Sequence, residues 1–230
     1  MYIEGLIVCI DFGDFLATTL PLNRPNFDRL TIVTSSDDKR TRLLARQHDC
    51  QIVTTTRHKE PNKFNKMKAI NDGLDACSKK GWLAILDADI ALSQNFRVDI
   101  ENQINLRLIP DKLETKRTIY GLQRYMCWSK PEWKAFLKTG KHKWELDKKR
   151  KCAQAPAGYF QLWYAKNQTK LYHEDWAANS NRLIRGGYHR DLDFARQFGH
   201  CRHLPCPYVV HLATRTEGMR DYNGRVSTKW

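Results

Sequence analysis

The chain has 230 residues, of which 41% are hydrophobic and 28% charged. That is enough apolar material for a sizeable core and excludes a disordered chain; no apolar run nears the ~18 residues of a membrane span, which excludes an integral membrane protein. The formal net charge of +14 points to a polyanionic partner: nucleic acid, an anionic membrane surface or a phosphate-rich substrate.

In chain order, residues 6–10 form a short, nearly continuous apolar run, as a buried parallel strand would. Residues 30–34 form a second. Ser36, Asp37 and Asp38 then supply N-cap chemistry for a helix through about His48. Residues 51–55 read as a third strand. Met67, Ile70, Leu74 and Cys77 fall at helical spacing, and Gly81 follows them. Residues 82–86, Trp-Leu-Ala-Ile-Leu, are a fourth strand. Strands alternating with helices predict an α/β fold on a parallel sheet, with ligands at the carboxyl ends of the strands.

The second half is less regular. Residues 118–125 read as a strand. Residues 130–151 carry nine Lys and Arg against Glu132, Glu145 and Asp147, a net of +6. Trp128, Trp133 and Trp144 are interleaved there, as on a surface that tracks phosphates and stacks bases, or as the buried face of basic helices. Residues 158–165 are aromatic and β-prone. Helical signals return at 174–185 and 189–198, and 204–212 is a final strand. No repeat or linker divides the chain, so a single domain is expected over 1–230, with a ligand-binding half at 1–92 and a second half at 93–230.

Seven cysteines, without a CxxC pair, point to a reducing compartment. The apolar run at 5–10 is short and flanked by Glu4, Asp11 and Asp14, unlike a secretory signal, so a cytoplasmic protein is expected. The cluster His200, Cys201, His203 and Cys206 matches no zinc module by its spacing.

The sharpest motif is Asp87-Ala88-Asp89, where the fourth strand leaves the sheet. In extended chain, residues i and i+2 face the same side, so both carboxylates would meet one hard divalent cation. Such a cation stabilises a diphosphate as leaving group. No Gly-rich phosphate loop is present, which counts against dinucleotide and P-loop enzymes.

The pattern resembles the GT-A class of nucleotide-sugar glycosyltransferases. The likeness rests on Asp87-Ala88-Asp89, on Phe64-Asn65-Lys66 with Ala69-Ile70-Asn71, on Gly158-Tyr159-Phe160-Gln161, on Asp191-Leu192-Asp193-Phe194, and on Val210-His211-Leu212. It implies a GT-A-like, Rossmann-type nucleotide-diphospho-sugar transferase fold. It also implies transfer of a sugar from a nucleotide sugar, a UDP-sugar first, with Mn²⁺ or Mg²⁺ as cofactor. By resemblance, Asp87, Asp89 and His211 hold the metal. Ile10 and Asp11 seat the nucleoside, and Asp37 contacts uracil or ribose, unless it serves as a helix N-cap. Lys66 and Asn71 meet phosphate or ribose, unless they belong to a solvated helix face. Asp191 takes the place of the general base, with Asp193 beside it and Glu174 as a rival; Arg190 stands where the class usually has a glutamate.

Size, charge and lack of targeting are similar to small phage glycosyltransferases acting on hydroxymethylated pyrimidines in DNA, so DNA is the expected acceptor. One alternative is a lipopolysaccharide or capsule glycosyltransferase on the inner membrane face. Another is an inactive GT-A scaffold that binds nucleic acid, against which intact Asp87 and Asp89 argue.

Overall fold

The computed structural model describes residues 1–56, 59–60, 63–106, 117–146, 159–172 and 194–212. In chain order the elements are β1 (Ile3–Val8), α1 (Gly13–Asn23), β2 (Arg29–Thr34), α2 (Lys39–Gln47), β3 (Gln51–Thr54), β4 (Lys59–Glu60), β5 (Lys63–Phe64), α3 (Lys66–Ala76) and β6 (Trp82–Asp87). They continue with β7 (Ile90–Leu92), α4 (Phe96–Asn105), β8 (Thr118–Cys127), α5 (Lys130–Thr139), β9 (Glu145–Leu146), β10 (Phe160–Tyr164) and β11 (His200–Leu212).

Among the described residues one mixed sheet runs β3-β2-β1-β6-β10-β8-β11-β7, with β9 paired to β8. Its first half is parallel, as the alternating pattern predicts: β1 lies between β2 and β6 in parallel register. The second half departs from an all-parallel sheet. β10 runs antiparallel to both β6 and β8, and β7 antiparallel to β11. β4 and β5 pair in a separate antiparallel hairpin.

The four strands read from the sequence coincide with β1, β2, β3 and β6 to within a few residues. β1 begins early, at Ile3, and carries Glu4, 1% exposed, with partners on both carboxylate oxygens. Glu4 Oε2 accepts hydrogen bonds from the Ser78 backbone N (2.9 Å) and Oγ (2.8 Å), and Arg29 lies 3.5 Å from Oε1. A buried carboxylate with such partners is tolerated inside a strand. α3 crosses this half at close range: a Cβ on Gly73 would stand 2.3 Å from Leu6 Cδ1 and 2.6 Å from Val33 Cγ2.

The last strand extends past its expected start, from His200, although Pro205 and Pro207 lie within it. The prolines fall in the register shift between Leu204 and Tyr208, where the ladder to β8 is interrupted and no N–H is needed. The helix expected at 174–185, and most of that expected at 189–198, lie outside the described residues.

α5 opens on a capping box: Ser129 Oγ accepts from the Glu132 N (3.3 Å), and Glu132 Oε2 from the Trp128 N (3.0 Å). Gly140, at φ 67°, ends it in the left-handed region that glycine adopts freely. Its tryptophans correct the stacking expectation. Trp133 and Trp144 are 3% and 9% exposed. They stack on one another at 5.9 Å and 18°, within a cluster of Phe15, Ala91, Cys127, Val210 and Leu212. Tryptophan enters the core because it is the larger apolar area; the interleaved Lys130, Lys134, Lys138, Lys141 and Lys143 are exposed.

Trp133→Ala is expected to cost about 3–5 kcal/mol of stability, as truncation of a buried large aromatic does, read by urea unfolding. A tryptophan serving only to stack bases would leave the unfolding midpoint where it was.

Candidate active site

The Asp87–Asp89 segment is the turn joining β6 to β7, and three of its backbone polar groups are paired with other elements. The Asp87 N–H donates to Tyr159 O (3.1 Å), and Asp89 O accepts from the Leu212 N–H (2.9 Å). From below, α1 holds it with two fully buried side chains. Thr19 Oγ1 donates to Ala88 O (2.8 Å), while Asn23 Nδ2 donates to Ile90 O (2.7 Å) and its Oδ1 accepts from the Leu92 N–H (2.9 Å). With its main chain so fixed, the turn leaves both carboxylates to the chemistry of the site.

Two contacts engage them. Lys66 Nζ, from the first residue of α3, pairs with Asp87 Oδ1. His211, near the end of β11, donates from Nε2 to Asp89 Oδ2 at 3.0 Å. The imidazole reaches the turn because β11 pairs with β7 in the register His211 opposite Ile90. Burial pushes the Asp89 carboxyl up. The His211 imidazole, through charge and hydrogen bond, and the Lys66 ammonium outweigh it and hold the group below the usual carboxylate range. Asp89 is therefore ionised at neutral pH.

Among the described residues no group of three or more His, Cys, Asp or Glu side chains gathers as a metal cluster would. The expected trio is instead two neighbouring pairs, Lys66 with Asp87 and His211 with Asp89. The second pair has the spacing a cation needs: ligands about 2.1 Å from one octahedral ion lie about 3.0 Å from each other. Asp89 Oδ1, which is buried, has no hydrogen-bond partner among the described residues. Carboxylate oxygen with imidazole nitrogen suits Mn²⁺.

At the nucleoside edge, Ile10 and Asp11 follow the end of β1 as expected. Asp11, exposed, has φ 63°. Its N–H donates to Asp38 Oδ2 (2.8 Å), and Asp38 Oδ1 accepts from the Thr41 N–H (3.0 Å). Asp38 is thus the N-cap of α2 and ties it to the β1 loop. Asp37 is exposed, and its Oδ1 accepts from the Ser36 hydroxyl (3.2 Å).

Asn71 is placed differently from the sequence expectation. It is 1% exposed, and its amide exchanges two 2.9 Å hydrogen bonds with the Tyr172 backbone, clamping that segment onto α3. The base candidates Asp191, Asp193 and Glu174 lie outside the described residues. Of the unclaimed His and Cys cluster, Cys201 is half-buried and Cys206 exposed, on one strand.

Sequence reasoning missed Thr19 and Asn23. The N-cap of α1, Phe12, provides no side-chain cap, and the helix contains Pro21, so its usual signals are missing. A Thr and an Asn four residues apart, on one helical face, were the available trace.

Asn23→Ala would leave the Ile90 carbonyl and Leu92 N–H unpaired in the core. A cost of about 2 kcal/mol or more follows, measurable by chemical denaturation.

No protein-family model matches the chain, and no curated protein sequence matches it. Solved structures do. Glucosyl-3-phosphoglycerate synthase from Mycobacterium tuberculosis, crystallised with Mn²⁺, UDP and phosphoglyceric acid, aligns with a TM-score of 0.51 at 12% identity, over 91% of this chain and 70% of that one. A mycobacterial protein of known structure aligns with a TM-score of 0.50 at 13% identity, over 93% and 66%. These likenesses, with the parallel half-sheet joined to an antiparallel β10, give the chain a GT-A-like mixed α/β fold.

Proposed function

We propose that this chain is a metal-dependent glycosyltransferase that moves a sugar from a UDP-sugar to a hydroxyl on an anionic acceptor. The observation that carries the reading is the meeting of Asp89 with His211 beside Asp87, at the carboxyl end of β6 in a GT-A-like fold. The fold neighbour that holds Mn²⁺, UDP and phosphoglyceric acid supports the same donor and cofactor here.

Asp87, Asp89 and His211 would hold the ion. A divalent cation there supplies positive charge to a departing diphosphate. The remaining work belongs to the protein. Asp38 fixes the loop at Asp11, where the nucleoside would lie, and exposed Asp37 offers it a carboxylate. Asp191, with Asp193 beside it and Glu174 as a rival, is proposed to take the proton from the attacking hydroxyl. Asp191→Asn should then lower transfer roughly 10²–10⁴-fold and leave UDP-sugar binding unchanged.

The anionic acceptor is supported by the net charge of +14 and by the exposed lysines of and after α5. Hydroxymethylated DNA is the acceptor to which the sequence resemblance points. It loses the stacking argument, because Trp133 and Trp144 are core residues. Among the described residues no helix is long and apolar enough to cross a membrane.

The test is a panel of nucleotide sugars with Mn²⁺, offered hydroxymethylated DNA, unmodified DNA, phosphoglyceric acid and anionic lipid, with products read by mass spectrometry. Turnover of a UDP-sugar that stops with EDTA, and in Asp89→Asn, is expected. Equal turnover in EDTA would end the metal-dependent reading. Transfer to phosphoglyceric acid alone would replace DNA with a small anion.

A further inference from the structure

We propose that Lys66 is the resident counter-ion of the carboxylate pair: its ammonium holds Asp87 until a divalent cation displaces it, so that metal and nucleotide diphosphate load cooperatively. This rests on the glycosyltransferase reading above and adds the linkage between its two ligands.

Lys66 is built to stand where it does. It is the first residue of α3, whose start is fixed by Asn65; that side chain is 2% exposed and accepts from the Lys68 N–H at 3.3 Å. The close approach at Gly73 sets α3 against β1 and β2, so the backbone beneath Lys66 cannot drift. The Lys66 side chain is 15% exposed and that of Asp87 32%, so the ion pair is largely shielded from water.

The charges around the turn balance with this lysine in place. Asp87 has the Lys66 ammonium on Oδ1, and Asp89 has the His211 imidazole on Oδ2. Asp89 also feels the Lys66 charge. A dication drawn to both carboxylates meets an ammonium already there, and the two repel at a few ångströms in a partly shielded site. The lysine stem is long and flexible, while its Cα is fixed. Displaced from Asp87, the ammonium can turn to an anion that arrives within reach of the ion. A diphosphate that arrives with the metal is such an anion. Each ligand then improves the site for the other, by the same factor in both directions.

The test is Mn²⁺ binding to the full chain, followed by electron paramagnetic resonance with and without UDP, for wild type, Lys66→Met, Lys66→Gln and Lys66→Arg. Thermal melts establish that each variant folds. With the competing charge removed, Lys66→Met and Lys66→Gln should bind Mn²⁺ alone roughly tenfold more tightly than wild type. UDP should then raise their Mn²⁺ affinity by a smaller factor than in wild type. Lys66→Arg, which keeps the charge, should stay close to wild type. Unchanged or weaker Mn²⁺ affinity in both neutral variants overturns the counter-ion role while leaving the glycosyltransferase reading intact. If wild type binds no Mn²⁺ even with UDP, both fall together.

Discussion

The site depends on one constraint: a strand must end, and its chain must turn back, without leaving buried peptide groups unpaired. At Asp87–Asp89 that demand is met by three different elements. β10 leads in from Tyr159, β11 supplies the Leu212 N–H, and α1 supplies Thr19 and Asn23. Each of those pairings would cost about 1–3 kcal/mol to leave unmade in a dry interior. The turn is therefore set by the rest of the fold. Both carboxylates are then free of the turn's main-chain pairing and engage Lys66 and His211 instead.

Electrostatics follow from that geometry. Two acids in one partly buried turn repel unless cations answer them. Here the answers come from opposite ends of the chain, Lys66 from the first half and His211 from the last strand. This explains why Asp87 and Asp89 are not equivalent. One faces an aliphatic ammonium on a mobile stem. The other faces an imidazole fixed by strand register and retains a buried oxygen without a hydrogen-bond partner among the described residues. The pair is asymmetric before any ligand arrives.

What the sequence made legible was what burial writes into it. β2 and β6 are continuous apolar runs because both their faces are covered, and their ends could be placed within a residue or two. The Asp-x-Asp pair was legible because it interrupts such a run. α1 was not, since its stabilisation comes from Thr19 and Asn23 bonding across to the turn rather than from capping or periodicity. The tryptophans of residues 128–144 were ambiguous for a different reason. A basic amphipathic helix looks alike in sequence whether its aromatics stack on bases or on each other, and only the packing of Trp133 on Trp144 separates the two. Asn71 had the residue type expected at a ligand site, yet its amide is used by a backbone 101 residues away.

The antiparallel insertion of β10 has a consequence for how the two halves work together. A purely parallel sheet would end at β6 with a helix crossing beside the acidic turn. Instead β10 lies directly along β6, with Phe160 opposite Leu86, and Tyr159 is delivered next to the Asp87 N–H. The Tyr159 hydroxyl reaches on to the Leu122 carbonyl in β8 (2.7 Å), and its ring lies under the Arg124 guanidinium at 4.5 Å. One aromatic residue thus connects the end of the first half-sheet to the strand that carries the second. Any shift of β8 relative to β6 must break a ladder, a hydroxyl bond and a cation–π contact together. The second half of the sheet is in this way held in register with the acidic turn.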